Sequence, residues 1–185
     1  MKLRDLELTS EKGLPSSDTN TAERQKKAKE EGYGFILSKE VNLTALDRYN
    51  SMEDYLILKD LKEGKSLPVF LFAYSEEALD LLRPLPYLEF LGGYDAIVID
   101  MGKCLWNSMS DNEAMVFGKL SKESKKPVLV YLLSSALNLE FLLAMEKYGI
   151  DGIIVNDDDE EKTKAVIDSM TIPVLVEKDG IIRKP

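Results

Sequence analysis

The sequence predicts an α/β fold built on a doubly wound, mostly parallel sheet, and three features of the text support it. Short apolar runs at residues 33–37, 69–73, 96–99, 128–132, 153–155 and 174–176 alternate with helix-forming stretches. Alternation of this kind calls for parallel strands joined by right-handed crossovers. The runs are almost continuously apolar, as strands covered on both faces require. The chain then closes on IPVLVEKDGIIRKP, two apolar runs around Lys178-Asp179-Gly180. That is a hairpin signal, and it places an antiparallel strand at the edge of an open sheet. The alternative is a compact TIM-barrel-like (βα) fold, because the number of strand-like runs nearly permits one.

Residues 1–32 read as a polar N-terminal segment with one helix, and residues 33–185 as a single α/β domain of a size that supports one core. In the first segment LRDLEL is at best a short strand followed by a loop. Asn20 with Glu23 has the form of a capping box and Gly32 that of a stop, which predicts a helix over 21–31. Pro68, Pro127 and Pro173 each stand just ahead of an apolar run, where a missing N–H does little harm. Helix starts are signalled at Ser51, Ser75 and Ser110, and at Ser134 or Ser135 for the helix that ends at Gly149. Leu139, Leu142, Leu143, Met145 and Tyr148 give that helix a broad apolar stripe.

Composition excludes several chemistries. The chain has no histidine, which removes Ser-His-Asp and Cys-His catalysis and histidine-ligated metals. Its one cysteine, Cys104, rules out an intrachain disulfide. A net charge of −9 speaks against binding a phosphate backbone, so no nucleic-acid partner is expected. No apolar run approaches the ~18 residues of a membrane span, and the start is too polar for a secretory signal, so the expectation is a cytoplasmic protein without a membrane partner. Gly64-Lys65-Ser66 imitates the end of a phosphate loop, but Lys59 stands where the motif needs glycine and a strand follows where a helix is required.

Ligands of open parallel sheets gather beyond the carboxyl ends of the strands. The residues delivered there include Glu40, Asp100, Ser134 and Asp157. Glu40, Asp100 and Asp157 are oxygen ligands suited to Mg²⁺, and Asp100, Glu40 and Ser134 are the candidate catalytic groups. The loop after Asp100 is unusually apolar. Met101, Cys104, Leu105 and Trp106 there suit a partner interface or the wall of a ligand pocket, or else fill a gap in the core.

SEEALDLL, YDAIVIDM, KPVLVYLLSS and YGIDGIIVND together resemble the CheY-like receiver domains of response regulators over about residues 67–170. The resemblance implies a flavodoxin/receiver-like sheet, with Asp100 as phosphoacceptor and Ser134 or Ser135 as the hydroxyl ending the fourth strand. The pattern is degenerate: Asn156 stands where the family has lysine, and Glu40 replaces an acidic pair. The implied function is a non-catalytic regulatory or protein-interaction domain, working through a protein partner or a homo-oligomer and unable to undergo normal Asp phosphorylation. The alternative is an Mg²⁺-dependent enzyme, or a binder of a phosphorylated small molecule, using carboxylates at the carboxyl edge. The acidic row NDDDEE is explained mostly as a helix start, with Asp157 as cap and Glu160 reciprocating.

Overall fold

The computed structural model describes residues 1–16, 22–38, 65–74, 94–101 and 111–185. A small hairpin, β1 (Lys2–Leu3) with β2 (Leu6–Glu7), precedes β3 (Gly13–Ser16), helix α1 (Ala22–Glu30) and β4 (Phe35–Ser38). Then come β5 (Val69–Tyr74), β6 (Ala96–Asp100), α2 (Asp111–Ser124) and β7 (Val128–Leu133). A 3₁₀ turn (Ser134–Ala136) leads into α3 (Leu139–Tyr148), β8 (Gly152–Asn156), α4 (Glu160–Ser169), β9 (Val174–Lys178) and β10 (Ile181–Arg183).

The sheet is a closed barrel in the order β10-β3-β4-β5-β6-β7-β8-β9. This corrects the expected doubly wound open sheet, and with it the flavodoxin/receiver-like architecture. The strand expected at an edge has neighbours on both sides. Ile181 and Ile182 of β10 pair with Lys178 and Glu177 of β9, while Ile182 also pairs with Gly13 of β3. The missing piece was β3. Its text, GLPS, is too short and too weakly apolar to read as a strand, yet it runs parallel to β4 from Gly13↔Phe35 to Ser16↔Ser38. Closure gives every strand a partner and removes the exposed edge that an open sheet must manage. The TIM-barrel-like alternative is nearer. The barrel departs from it in β10, which is antiparallel to both its neighbours and follows β9 through a hairpin instead of a crossover helix.

Strand alternation sorts the apolar residues into two cores. Phe35, Leu37, Phe70, Val98, Leu129 and Ile154 fill the barrel interior. Leu71, Ile97, Ile99, Val130, Ile153 and Val155 point outward and pack against Phe117 and Leu120 of α2, Leu142 and Met145 of α3, and Val166 of α4. The near-continuous apolarity of each strand is thus spent on both faces, as the sequence required.

Leu3 and Leu8 of the N-terminal hairpin join the interior core and plug its amino end. Arg4 fastens the plug: its guanidinium donates to the Ser121 carbonyl at 2.7 Å and lies 3.4 Å from the Asp151 carboxylate. Asp151 in turn accepts from the Ser121 hydroxyl at 2.7 Å and the Val128 amide at 2.8 Å, so one carboxylate ties the plug to β7.

Local signals behave as their physics demands, with two shifts of position. The helix expected over 21–31 is α1, and Gly32 follows it with φ 81°. Asp179 and Gly180, at φ 53° and 72°, make the hairpin turn. Asn138, not Ser134 or Ser135, caps α3 by accepting from the Phe141 amide at 3.1 Å. Asp159, not Asp157, caps α4 by accepting from the Lys162 amide at 3.2 Å. Among the described residues no helix is long and apolar enough to cross a membrane.

Candidate functional site

The carboxyl end of the barrel interior is where the apolar lining gives way to polar groups. Asp100 shares the inward parity of Ala96 and Val98, Tyr131 that of Leu129, Asn156 that of Ile154, and Glu177 that of Leu175. The register makes them neighbours: Asp100 is the partner of Tyr131 across β6 and β7, and Asn156 the partner of Glu177 across β8 and β9. Asp100 and Glu177 are each only 8% exposed, and Tyr131 7%. Four consecutive strands therefore contribute one polar patch, buried except at Asn156, which is half-buried.

Tyr131 joins the patch together. Its hydroxyl accepts from Asn156 Nδ2 at 3.0 Å and donates to the Glu177 carboxylate. Burial, then the charge of Glu177 and the hydrogen bond to it, and then Asp100 push the phenol well above the ordinary tyrosine range. At neutral pH it is a fixed donor between two carboxylates. The ring of Phe72 meets the Tyr131 ring edge-on at 5.3 Å and forms the apolar floor. Carboxylates buried this far need hydrogen bonds or a counter-charge, and the Tyr131 hydroxyl supplies one of these to Glu177.

The sequence-predicted residues divide. Asp100 and Asn156 stand together at the mouth, with Met101 fully buried beside them in the outer core. Asp157 is one residue further and faces outward, where its carboxylate takes Lys178 Nζ at 2.7 Å and the Thr163 hydroxyl at 2.8 Å. The hydrogen bond from Lys178, followed by that from Thr163, holds Asp157 below the usual carboxylate range. Ser134 is buried under Asp158, donating to it at 2.8 Å while accepting from the Asp159 amide at 2.8 Å. Glu40, Cys104, Leu105 and Trp106 lie outside the described residues. Among the described residues no three acidic, histidine or cysteine side chains gather into a cation site.

Tyr131 and Glu177 were not singled out from the sequence. Glu177 lies between the apolar run at 174–176 and the turn at Lys178-Asp179-Gly180, and it keeps the inward parity of its strand. Tyr131 read as one more apolar residue of its run.

Asp158 shows how the row of acids is used. Burial pushes its carboxyl up, but bonds from the Ser135 hydroxyl and amide and the Ser134 hydroxyl more than offset this and leave it below the ordinary range. A carboxyl whose folded pKa is depressed stabilises the fold above its unfolded pKa, and the contribution is lost as pH falls through that range. Asp158→Asn is accordingly expected to cost about 1 kcal/mol in urea unfolding at pH 7, the scale of a partly exposed charged hydrogen bond. The gap between variant and wild type should close near pH 3; a gap of the same size at both pH values would refute the assignment.

No protein-family model matches the chain, and no curated protein matches it.

Proposed function

We propose that the protein binds a small molecule at the carboxyl mouth of its barrel, as an Mg²⁺-dependent enzyme or binder, with Asp100 and Glu177 as the recognising carboxylates. The observation that carries this reading is the buried pair of acids sharing one tyrosine at the end of an otherwise apolar interior. Barrels with parallel strands place their chemistry at this end, where the loops that follow the strands converge. Two inward carboxylates repel a bare phosphate and attract positive charge. The occupant therefore brings a cation into the mouth, either Mg²⁺ alone or Mg²⁺ bridging to a phosphorylated molecule. Mg²⁺ suits the site because it commonly takes one or two protein carboxylates and completes its shell with water and phosphate oxygens. Asn156 and Tyr131 then hold Glu177 in place, and a ligand hydroxyl can compete for the same oxygens.

The test is an Mg²⁺ titration followed by amide and side-chain NMR. Shifts are expected to centre on Asp100, Tyr131 and Glu177, and the apparent affinity should fall by roughly tenfold or more in Asp100→Asn and in Glu177→Gln, the scale of one lost charged ligand. Shifts confined to surface acids such as Glu160 and Glu161 would sink the proposal.

The regulatory reading makes a separate prediction at the same aspartate. Asp100 and a second carboxylate, Glu177, both act on Tyr131, and Lys178 of β9 is turned outward onto Asp157. A phosphoryl donor there approaches a carboxylate pair, and the lysine that the receiver family places after the fifth strand is replaced by Asn156. Incubation with acetyl phosphate and Mg²⁺ is expected to leave the intact mass unchanged; a hydroxylamine-sensitive phosphoryl adduct that Asp100→Asn abolishes would instead favour a working phosphoacceptor.

A further inference from the structure

The outer wall of the barrel carries a second surface, on the opposite face of β9 from the mouth residues. Helices α2, α3 and α4 pack on the outside of β6, β7 and β8, but β9 turns directly into β10, with no helix between those two strands. A cleft of about 590 Å³ opens there along α4. Glu160, Thr163, Lys164 and Ile167 form its α4 side, and Val176 and Arg183 face them from β9 and β10. The four helical residues stand at i, i+3, i+4 and i+7, a single stripe two turns long. A second cleft of about 390 Å³ shares Ile167, Lys184 and Pro185 with the first and extends it past Met170 and Ile172. The two adjoin and together form one furrow beside α4.

The floor is apolar and the rim is basic. Lys2, Lys164, Lys178, Arg183 and Lys184 line the two clefts, against Asp157, Glu160 and Glu11. Lys178 is closed onto Asp157 at 2.7 Å and Lys184 stands 3.9 Å from Glu11. Lys164 and Arg183 have no ion-pair partner among the described residues. In a chain of net charge −9, a furrow with a cationic rim selects its occupant by sign.

We infer that this furrow docks an acidic amphipathic helix from another protein, lying along α4 over the outer face of β9 and β10. Apolar side chains of the incoming helix fill the space over Ile167 and Val176, and its carboxylates meet Lys164 and Arg183, the helix-in-groove mode of recognition. A second copy of this chain fits poorly, because a two-fold contact would set one basic rim against the other.

The experiment is a display selection on the full chain with a random peptide library long enough for about four helical turns. Enriched peptides are expected to carry Asp and Glu beside apolar residues spaced i, i+3, i+4 and i+7. Their affinity should fall by roughly tenfold for Lys164→Glu with Arg183→Glu, as two rim charge contacts imply. Both positions are surface cations, so the double variant should keep the wild-type circular dichroism and melting temperature. Four results would overturn the inference: no enrichment, enrichment of basic or unpatterned peptides, equal binding to the double variant, or wild-type binding to phosphatidylserine vesicles that the double variant loses. Concentration-dependent dimerisation abolished by the same variant would also overturn it.

Discussion

Phe70→Ala is expected to destabilise the protein by about 3–5 kcal/mol, the cost of deleting a fully enclosed aromatic ring and leaving the space empty. Phe70 is 0% exposed and stacks on Phe35 with ring centroids 4.5 Å apart and planes 17° from parallel. Both rings lie inside the barrel, where hydrogen-bonded strands surround them and cannot collapse inward without breaking the ladder. Phe35 is further confined by Gly13: a Cβ there would fall 2.2 Å from its ring, so the ring occupies the space that glycine leaves open. Urea unfolding of Phe70→Ala and Phe70→Leu measures the effect, with an unchanged slope of free energy on denaturant expected for both. Leucine should recover more than half of the loss. A cost under about 1 kcal/mol for alanine would mean that the interior relaxes freely, contrary to the behaviour of close-packed cores.

Gly118→Val should be comparably damaging, at about 3 kcal/mol, the upper part of the range for overpacking. Gly118 sits in the middle of α2, a position where alanine would ordinarily be preferred by about 1 kcal/mol. Here the ordinary preference is reversed by contact with α3. A Cβ at Gly118 would lie 2.1 Å from the Tyr148 carbonyl oxygen and 2.7 Å from its carbon. Those are backbone atoms at the end of a helix that closes on Gly149 at φ 104°, so no side-chain rotation relieves the clash. The helices must separate, which uncovers Phe117, Leu142 and Met145 between them and β7. Thermal melts of Gly118→Ala and Gly118→Val give the graded test: both should fall below wild type, valine further. An alanine variant more stable than wild type would show that helix propensity outweighs the contact.

How much of this was legible in the residues varies by element. The strands from β4 onward are readable because each is a run that stays apolar through both parities, and burial on two faces imposes that pattern locally. The turn at Asp179 and Gly180 is readable because two consecutive residues with positive φ demand such types. Asp100 and Asn156 could be placed at the carboxyl edge because strand direction and end point are local properties. The caps of α3 and α4 were displaced by a few residues, since Ser134, Ser135, Asn138, Asp157 and Asp159 are all competent caps and only packing decides among them.

Alternation, apolar runs and turn chemistry therefore settled that this chain builds parallel strands covered by helices and ends in a hairpin. Whether that sheet stays open or closes was decided by the pairing of Ile182 with Gly13, residues at opposite ends of the chain. Hydrogen bonding between distant backbones leaves almost no trace in local composition, least of all in a strand spelled GLPS. Closure also decided the candidate site. In an open sheet the tip of β9 has no reason to face the tip of β6, but curvature carries the inward residues of four strands around a common axis, which brings Glu177 and Asp100 to the same tyrosine.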